Sequence, residues 1–153
     1  PSSTSYSEDP PMQPIFRKCI LIAALAVASA PVFAGTTVIV SAKSKTSSLS
    51  KDQVAALYLG RSTSLPDGGS AKLYDLVDSN PAREHFYQAV TGKSASQVKA
   101  VWSRLVFSGR ALPPHEQPND AAVVKAVAAD PNAVGYVDSS AVDASVKSAL
   151  KLP

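Results

Sequence analysis

The segment from Met12 to Ala34 constrains this chain most, because it decides which residues are left to fold. It runs from a basic front, Phe16-Arg17-Lys18, through an apolar stretch from Cys19 to Ala30, to Pro31-Val32-Phe33-Ala34 ahead of Gly35. A charged start, a short apolar middle and small residues at the last and third-last positions (Ala34 and Val32) form the pattern of a secretory signal peptide. The apolar stretch is shorter than the roughly 20 residues a membrane-spanning helix needs. The expectation is therefore removal, export to the periplasm and no membrane span after cleavage. Pro1–Pro11 is polar, lies upstream of a usable start methionine, and is expected to play no part in the fold.

Cleavage after Ala34 leaves 119 residues, 35–153, enough for one domain with a single core. Cys19 is the only cysteine and falls within the signal, so the remaining chain has neither disulfides nor thiolate chemistry. It stands at the front of the apolar stretch, next to Arg17-Lys18, instead of following it, which argues against a lipid anchor. The net charge is +3, and cleavage leaves it unchanged because Arg17 and Lys18 leave together with Glu8 and Asp9. Lysines and arginines are spread singly, without the basic stripe of a nucleic-acid binder, and read as a solvated surface.

Within 35–153 the pattern alternates between strand and helix. Thr36-Thr37-Val38-Ile39-Val40-Ser41 is β-branched and continuous, as in a strand buried on both faces. Ser50 followed by Gln53 is a capping box for a helix carrying Val54, Leu57 and Tyr58 on one face and stopped by Gly60. Lys72–Val77 reads as a short strand. A helix capped by Asp78, Ser79 or Asn80 follows, with Pro81 in its first turn and Phe86, Tyr87 and Val90 on its apolar side. A third helix begins at Ser94 or Ser96 and reaches Phe107, bearing Val98, Val101, Trp102, Leu105 and Val106. Gly109–Pro118 is expected to be an extended loop. Asn119 caps a helix to about Ala129, Ala133–Val137 is a central strand, and Ala141–Leu150 is read as a short helix followed by an edge strand. Strands alternating with helices predict an α/β fold, a small central sheet flanked by helices on both faces.

Signs of catalysis are sparse. His85 and His115 fit no metal spacing, no nucleophile elbow occurs, and the acidic residues form no diagnostic pair. The expectation is a protein that is not an enzyme, with no catalytic residues, no metal and no cofactor. Trp102 fills the core or lines a ligand groove. The junction Asp78-Ser79-Asn80-Pro81-Ala82-Arg83 carries the one constellation with a clear chemistry. Helix-entry amides lack backbone partners and face the positive end of the helix dipole. Ser79 and Asn80 can donate hydrogen bonds, and Arg83 lies in the first turn, so Ser79, Asn80 and Arg83 form a candidate anion-binding site. Ordinary capping by Ser79 or Asn80 accounts for the same residues without a ligand.

Four segments, in order, resemble a known family. Ser48–Arg61, Ala82–Tyr87, Val101–Gly109 and the run Pro131-Asn132-Ala133-Val134-Gly135-Tyr136-Val137 are similar to successive motifs of the periplasmic phosphate-binding proteins of ABC transporters. The match covers most of Val38–Asp138. It implies a single lobe of a type II periplasmic binding protein, corresponding to the second of the two lobes that close over a ligand. It also implies reversible binding of an oxyanion, classically phosphate, for delivery to an ABC permease. The family's phosphate loop reads Arg-x-x-x-Ser-Gly-Thr. With its serine matched to Ser79, Asp75 takes the arginine's place and Asn80-Pro81 replace Gly-Thr. A carboxylate there repels an anion, and a proline removes an amide donor. A second class of function fits the same lobe: an interaction module that docks on an envelope component or on its own copy without binding a solute.

Overall fold

The computed structural model describes residues 35–153, together with Ser3. The expected signal segment, and all of the upstream stretch except Ser3, lie outside the described residues. The elements follow in the order β1 (Thr36–Ser41), α1 (Lys51–Tyr58), β2 (Lys72–Leu76), α2 (Pro81–Thr91), α3 (Ala95–Phe107), β3 (His115–Gln117), α4 (Asp120–Ala128), β4 (Ala133–Asp138) and β5 (Val146–Lys151). The five strands form one sheet in the order β3-β2-β4-β1-β5. β2 runs parallel to β3 and β4, whereas β1 is antiparallel to both β4 and β5. Every residue of β1 is buried, as its unbroken β-branched run requires.

Local chemistry sets the helix ends. Ser50 and Gln53 exchange side-chain and backbone hydrogen bonds at the start of α1, and Ser94 with Gln97 does the same for α3. Asn80 caps α2, Pro81 occupies its first position, and Asn119 caps α4. Gly60, at φ +70°, turns the chain away from α1 in a region that disfavours side chains; a Cβ there would lie 2.3 Å from Leu105 Cδ1.

The two sheet faces follow from the period-2 alternation of β4. Gly135 faces α4 so closely that an added Cβ would stand 2.7 Å from Val123 Cγ1 and 2.9 Å from Val127 Cγ2. Its neighbour Tyr136 points to the other face, where its ring stacks on Phe86 of α2 at 3.8 Å and meets Tyr58 of α1 edge-on at 6.0 Å. The core is thus aliphatic under α4 and aromatic under α1 and α2.

Three expectations change. The loop before α4 contains β3, whose polar residues His115, Glu116 and Gln117 become strand by pairing with Tyr74, Asp75 and Leu76. The helix expected after Ala141 is only a 3₁₀ turn, Ser139–Ala141, and the edge strand starts at Val146. On α3, Val98 and Trp102 are buried, but Val106 is exposed and Phe107 projects at 95% exposure. No helix among the described residues is long and apolar enough to cross a membrane.

Candidate functional site

Strand β2 and helix α2 place a carboxylate and a guanidinium against each other. Asp75 is buried in mid-strand, and Arg83, one turn into α2, is buried beside it at 6% exposure. Arg83 Nε donates to Asp75 Oδ2 at 3.3 Å. The same oxygen accepts from Tyr87 Oη at 2.6 Å. Asp75 Oδ1 accepts from the Leu76 amide at 2.8 Å and from the Tyr136 hydroxyl. Burial, reinforced by the negative charge of Asp75, holds the Tyr87 and Tyr136 hydroxyls well above the ordinary phenol range, so both remain protonated donors. Burial, the largest single influence, lowers the Arg83 pKa, but the charge and hydrogen bond of Asp75 together with Tyr87 and Tyr136 outweigh it and the net shift is upward.

The outer rim has a different character. Arg83 Nη1 donates to Asp78, whose second oxygen accepts from Lys99 Nζ of α3 at 2.7 Å. The Asp78 and Lys99 side chains are 54% and 61% exposed, so this pair stands in solvent. Asp78 therefore bridges two cations at the solvent-exposed mouth of the cluster. Arg83 and Lys99 themselves line a groove of about 440 Å³ with Asp75, Trp102, Phe107 and Glu116.

The three residues singled out from sequence are adjacent, but their donors are largely committed. Asn80 Oδ1 accepts from the Ala82 amide at 3.0 Å, and Asn80 O accepts from the Arg83 amide at 3.1 Å. Pro81 has no N–H, so the expected row of open amides at the α2 entrance is absent: capping and a tight first turn have used them. Asn80 acts as the cap, leaving its amide nitrogen outside that bond. Ser79 is exposed and makes no hydrogen bond with the described residues. Arg83 faces carboxylates of its own chain.

Sequence reasoning missed Lys99, Tyr87 and Tyr136 as members of this cluster. Lys99 gave no signal, because it lies on another helix, 21 residues from Asp78. Asp75 gave one, as a charge within an otherwise strand-like run. Trp102 packs into the core, as one of its two alternative expectations had it. It is 7% exposed, and its indole N–H donates to Tyr58 O at 2.8 Å, while it also lines the groove. His85 lies exposed with Nε2 3.3 Å from Pro153 O, and His115 packs against the Tyr74 ring. Among the described residues no three acidic, histidine or cysteine side chains gather as a metal cluster.

No family model matches the sequence, and no curated protein matches it significantly. Solved structures do match. One is a phosphate ABC transporter substrate-binding protein from Clostridium perfringens, solved with bound phosphate: TM-score 0.60, 19% identity, covering 74% of this chain and 43% of that one. An ABC-type phosphate transport receptor from Vibrio cholerae matches with TM-score 0.59 and 18% identity over 74% of this chain and 44% of that one. PstS from Borrelia burgdorferi gives 0.52 and 10%, over 67% and 40%. These are binding proteins, and the chain spans less than half the length of each. The mixed five-stranded sheet with its flanking helices is thus the fold of one lobe of a type II periplasmic binding protein, shared with phosphate ABC transporter substrate-binding proteins.

Proposed function

We propose that the chain is an exported, substrate-binding-like protein of the phosphate ABC transporter type. It takes phosphate or another small anion at the α2 entrance and presents it to a permease in the periplasm, after removal of Met12–Ala34. The fold supports the class. The observation that carries the site is the exposed Asp78 carboxylate held between Arg83 and Lys99, two cations that line a groove. That position already holds an oxyanion group, on an exposed side chain. Exposed ion pairs contribute only about 0–1 kcal/mol, so a solute anion can exchange with Asp78. Arg83 and Lys99 then supply charge, and Ser79 with the Asn80 amide nitrogen supplies hydrogen bonds. Binding of this kind is reversible and needs no cofactor.

Titration calorimetry at low salt with phosphate, sulfate and acetate tests the proposal. Saturable heat that falls in Ser79→Ala and Lys99→Ala is the expected result. No heat with any of the three anions rejects solute binding.

One observation favours a second reading, an interaction module. Phe107 is 95% exposed and Leu112 83%, with Val106 beside Phe107 also exposed. Exposed apolar patches of this kind mark contact surfaces. Light scattering over a concentration series separates a self-associating module from a monomeric receptor, and Phe107→Ser returns an associating chain to monomer.

A further inference from the structure

One layer beneath the mouth lies a second set of donors, of which the proposed function uses only Arg83, and that through a different nitrogen. Leu76 N–H from β2, Arg83 Nε and Tyr87 Oη from α2, and Tyr136 Oη from β4 all converge on the two oxygens of Asp75. A guanidinium, two phenols and a backbone amide form the donor set of a receptor for a free oxyanion. An aspartate in mid-strand has no packing role that an apolar residue would not fill at lower desolvation cost. The donors come from three separate elements, so their convergence is a tertiary arrangement and not a local turn. Asp75 and Arg83 also line the groove of about 440 Å³, which gives the cluster a route to solvent.

We infer that this corner is an oxyanion seat occupied from within: the Asp75 carboxylate is its resident anion and keeps free oxyanions out. The seat matches a group the size of one carboxylate. Asp75→Ala removes that group and leaves the Cβ, so the vacancy has the dimensions of formate; phosphate, with two further oxygens, fits it less well. The inference shares only Arg83 with the mouth described above. The mouth is read on the wild-type protein, whereas the seat is read on the Asp75 variant, so one can fail without the other.

The test is thermal unfolding of the full chain and its variants in sodium formate, set against sodium chloride at equal ionic strength, with sodium phosphate as the size control. In Asp75→Ala, the unfolding midpoint is expected to rise saturably with formate and by much less with phosphate or chloride. The wild type is expected to show no formate-specific rise. Asp75→Asn, which fills the same volume with a neutral amide, should behave as the wild type does. Adding Tyr87→Phe to Asp75→Ala should weaken the formate response at least tenfold. If Asp75→Ala does not fold in chloride, the recovered folded yield in formate replaces the midpoint, and a gain in yield is expected. An equal response to chloride and formate, an equal response from Asp75→Asn, or no response to formate overturns the inference.

Discussion

Arg83 touches two carboxylates, and its replacement separates their energies. Arg83→Met keeps the aliphatic stem over the Tyr87 ring, where the guanidinium now sits 5.5 Å from the centroid, and removes the charge. The lost bond to Asp78 counts for little: with that side chain 54% exposed, the pair contributes about 0–1 kcal/mol. The lost bond to Asp75 matters more, since the two side chains are 8% and 3% exposed. Removing one partner of a buried pair costs about 3–5 kcal/mol, because the other charge stays buried without its counter-charge. Asp75 keeps three donors, Leu76 N–H, Tyr87 and Tyr136, which places the expected loss at the lower end, about 3 kcal/mol. For a domain of this size that lowers the unfolding midpoint by roughly 10 °C. Urea unfolding of Arg83→Met and Asp78→Ala, with unchanged slope, provides the comparison. A loss below 1 kcal/mol for Arg83→Met, equal to that for Asp78→Ala, refutes the charge compensation argued for the buried pair.

Two further outcomes follow from the packing and the charges. Gly135→Ala drives a Cβ into Val123 and Val127, whose branched side chains cannot swing away, and is expected to cost about 1–3 kcal/mol in urea unfolding. Glu84 accepts from the Ala95 amide at the start of α3 and from Gln88, and these bonds, the amide first, lower its pKa from the ordinary 4.5. A carboxylate depressed on folding stabilises above its unfolded value and loses that contribution as the pH falls through its folded one. The gap in unfolding midpoint between wild type and Glu84→Ala should therefore be full at neutral pH and close below about pH 4; a gap independent of pH contradicts the assignment.

Features governed by a few consecutive residues were legible in the sequence. Ser50 with Gln53, Asn80 with Pro81, and Asn119 each state a helix start within one turn, and the β-branched run at Thr36–Ser41 states a central strand. Features settled by distant partners were not. His115-Glu116-Gln117 has no strand pattern of its own and extends only because β2 lies alongside it. The α3 periodicity marked Val106 as apolar but could not tell that Val106 and Phe107 stay exposed. The candidate site divides the same way. The α2 entrance was visible as a junction, and Asp75 as a misplaced charge. Tyr136, 61 residues beyond Asp75, and Lys99, 21 beyond Asp78, enter the cluster only through the fold. The expected open amides failed for a local reason: the side chain that caps a helix consumes the donors that an anion would use.

The two carboxylates set different limits on what an anion can displace. When a protein group must leave before a ligand enters, the apparent affinity falls by the fraction of molecules in which it has left. An exposed pair contributing about 1 kcal/mol keeps the mouth closed roughly fivefold over open, so Asp78 weakens a solute anion by about that factor. Withdrawing Asp75 from its buried partners, at the cost of about 3–5 kcal/mol for stranding a buried charge, reduces affinity at the seat by two to three powers of ten or more. Wild-type protein should therefore show one modest anion site, at the mouth. Asp78→Ala is expected to raise phosphate affinity about fivefold in calorimetry, since the carboxylate leaves and Arg83 and Lys99 stay. A lower affinity means that Asp78 supports the ligand and does not compete with it. A gain above about a hundredfold means that the outer pair is far stronger than its exposure allows, and the division between exchangeable mouth and closed seat would be wrong.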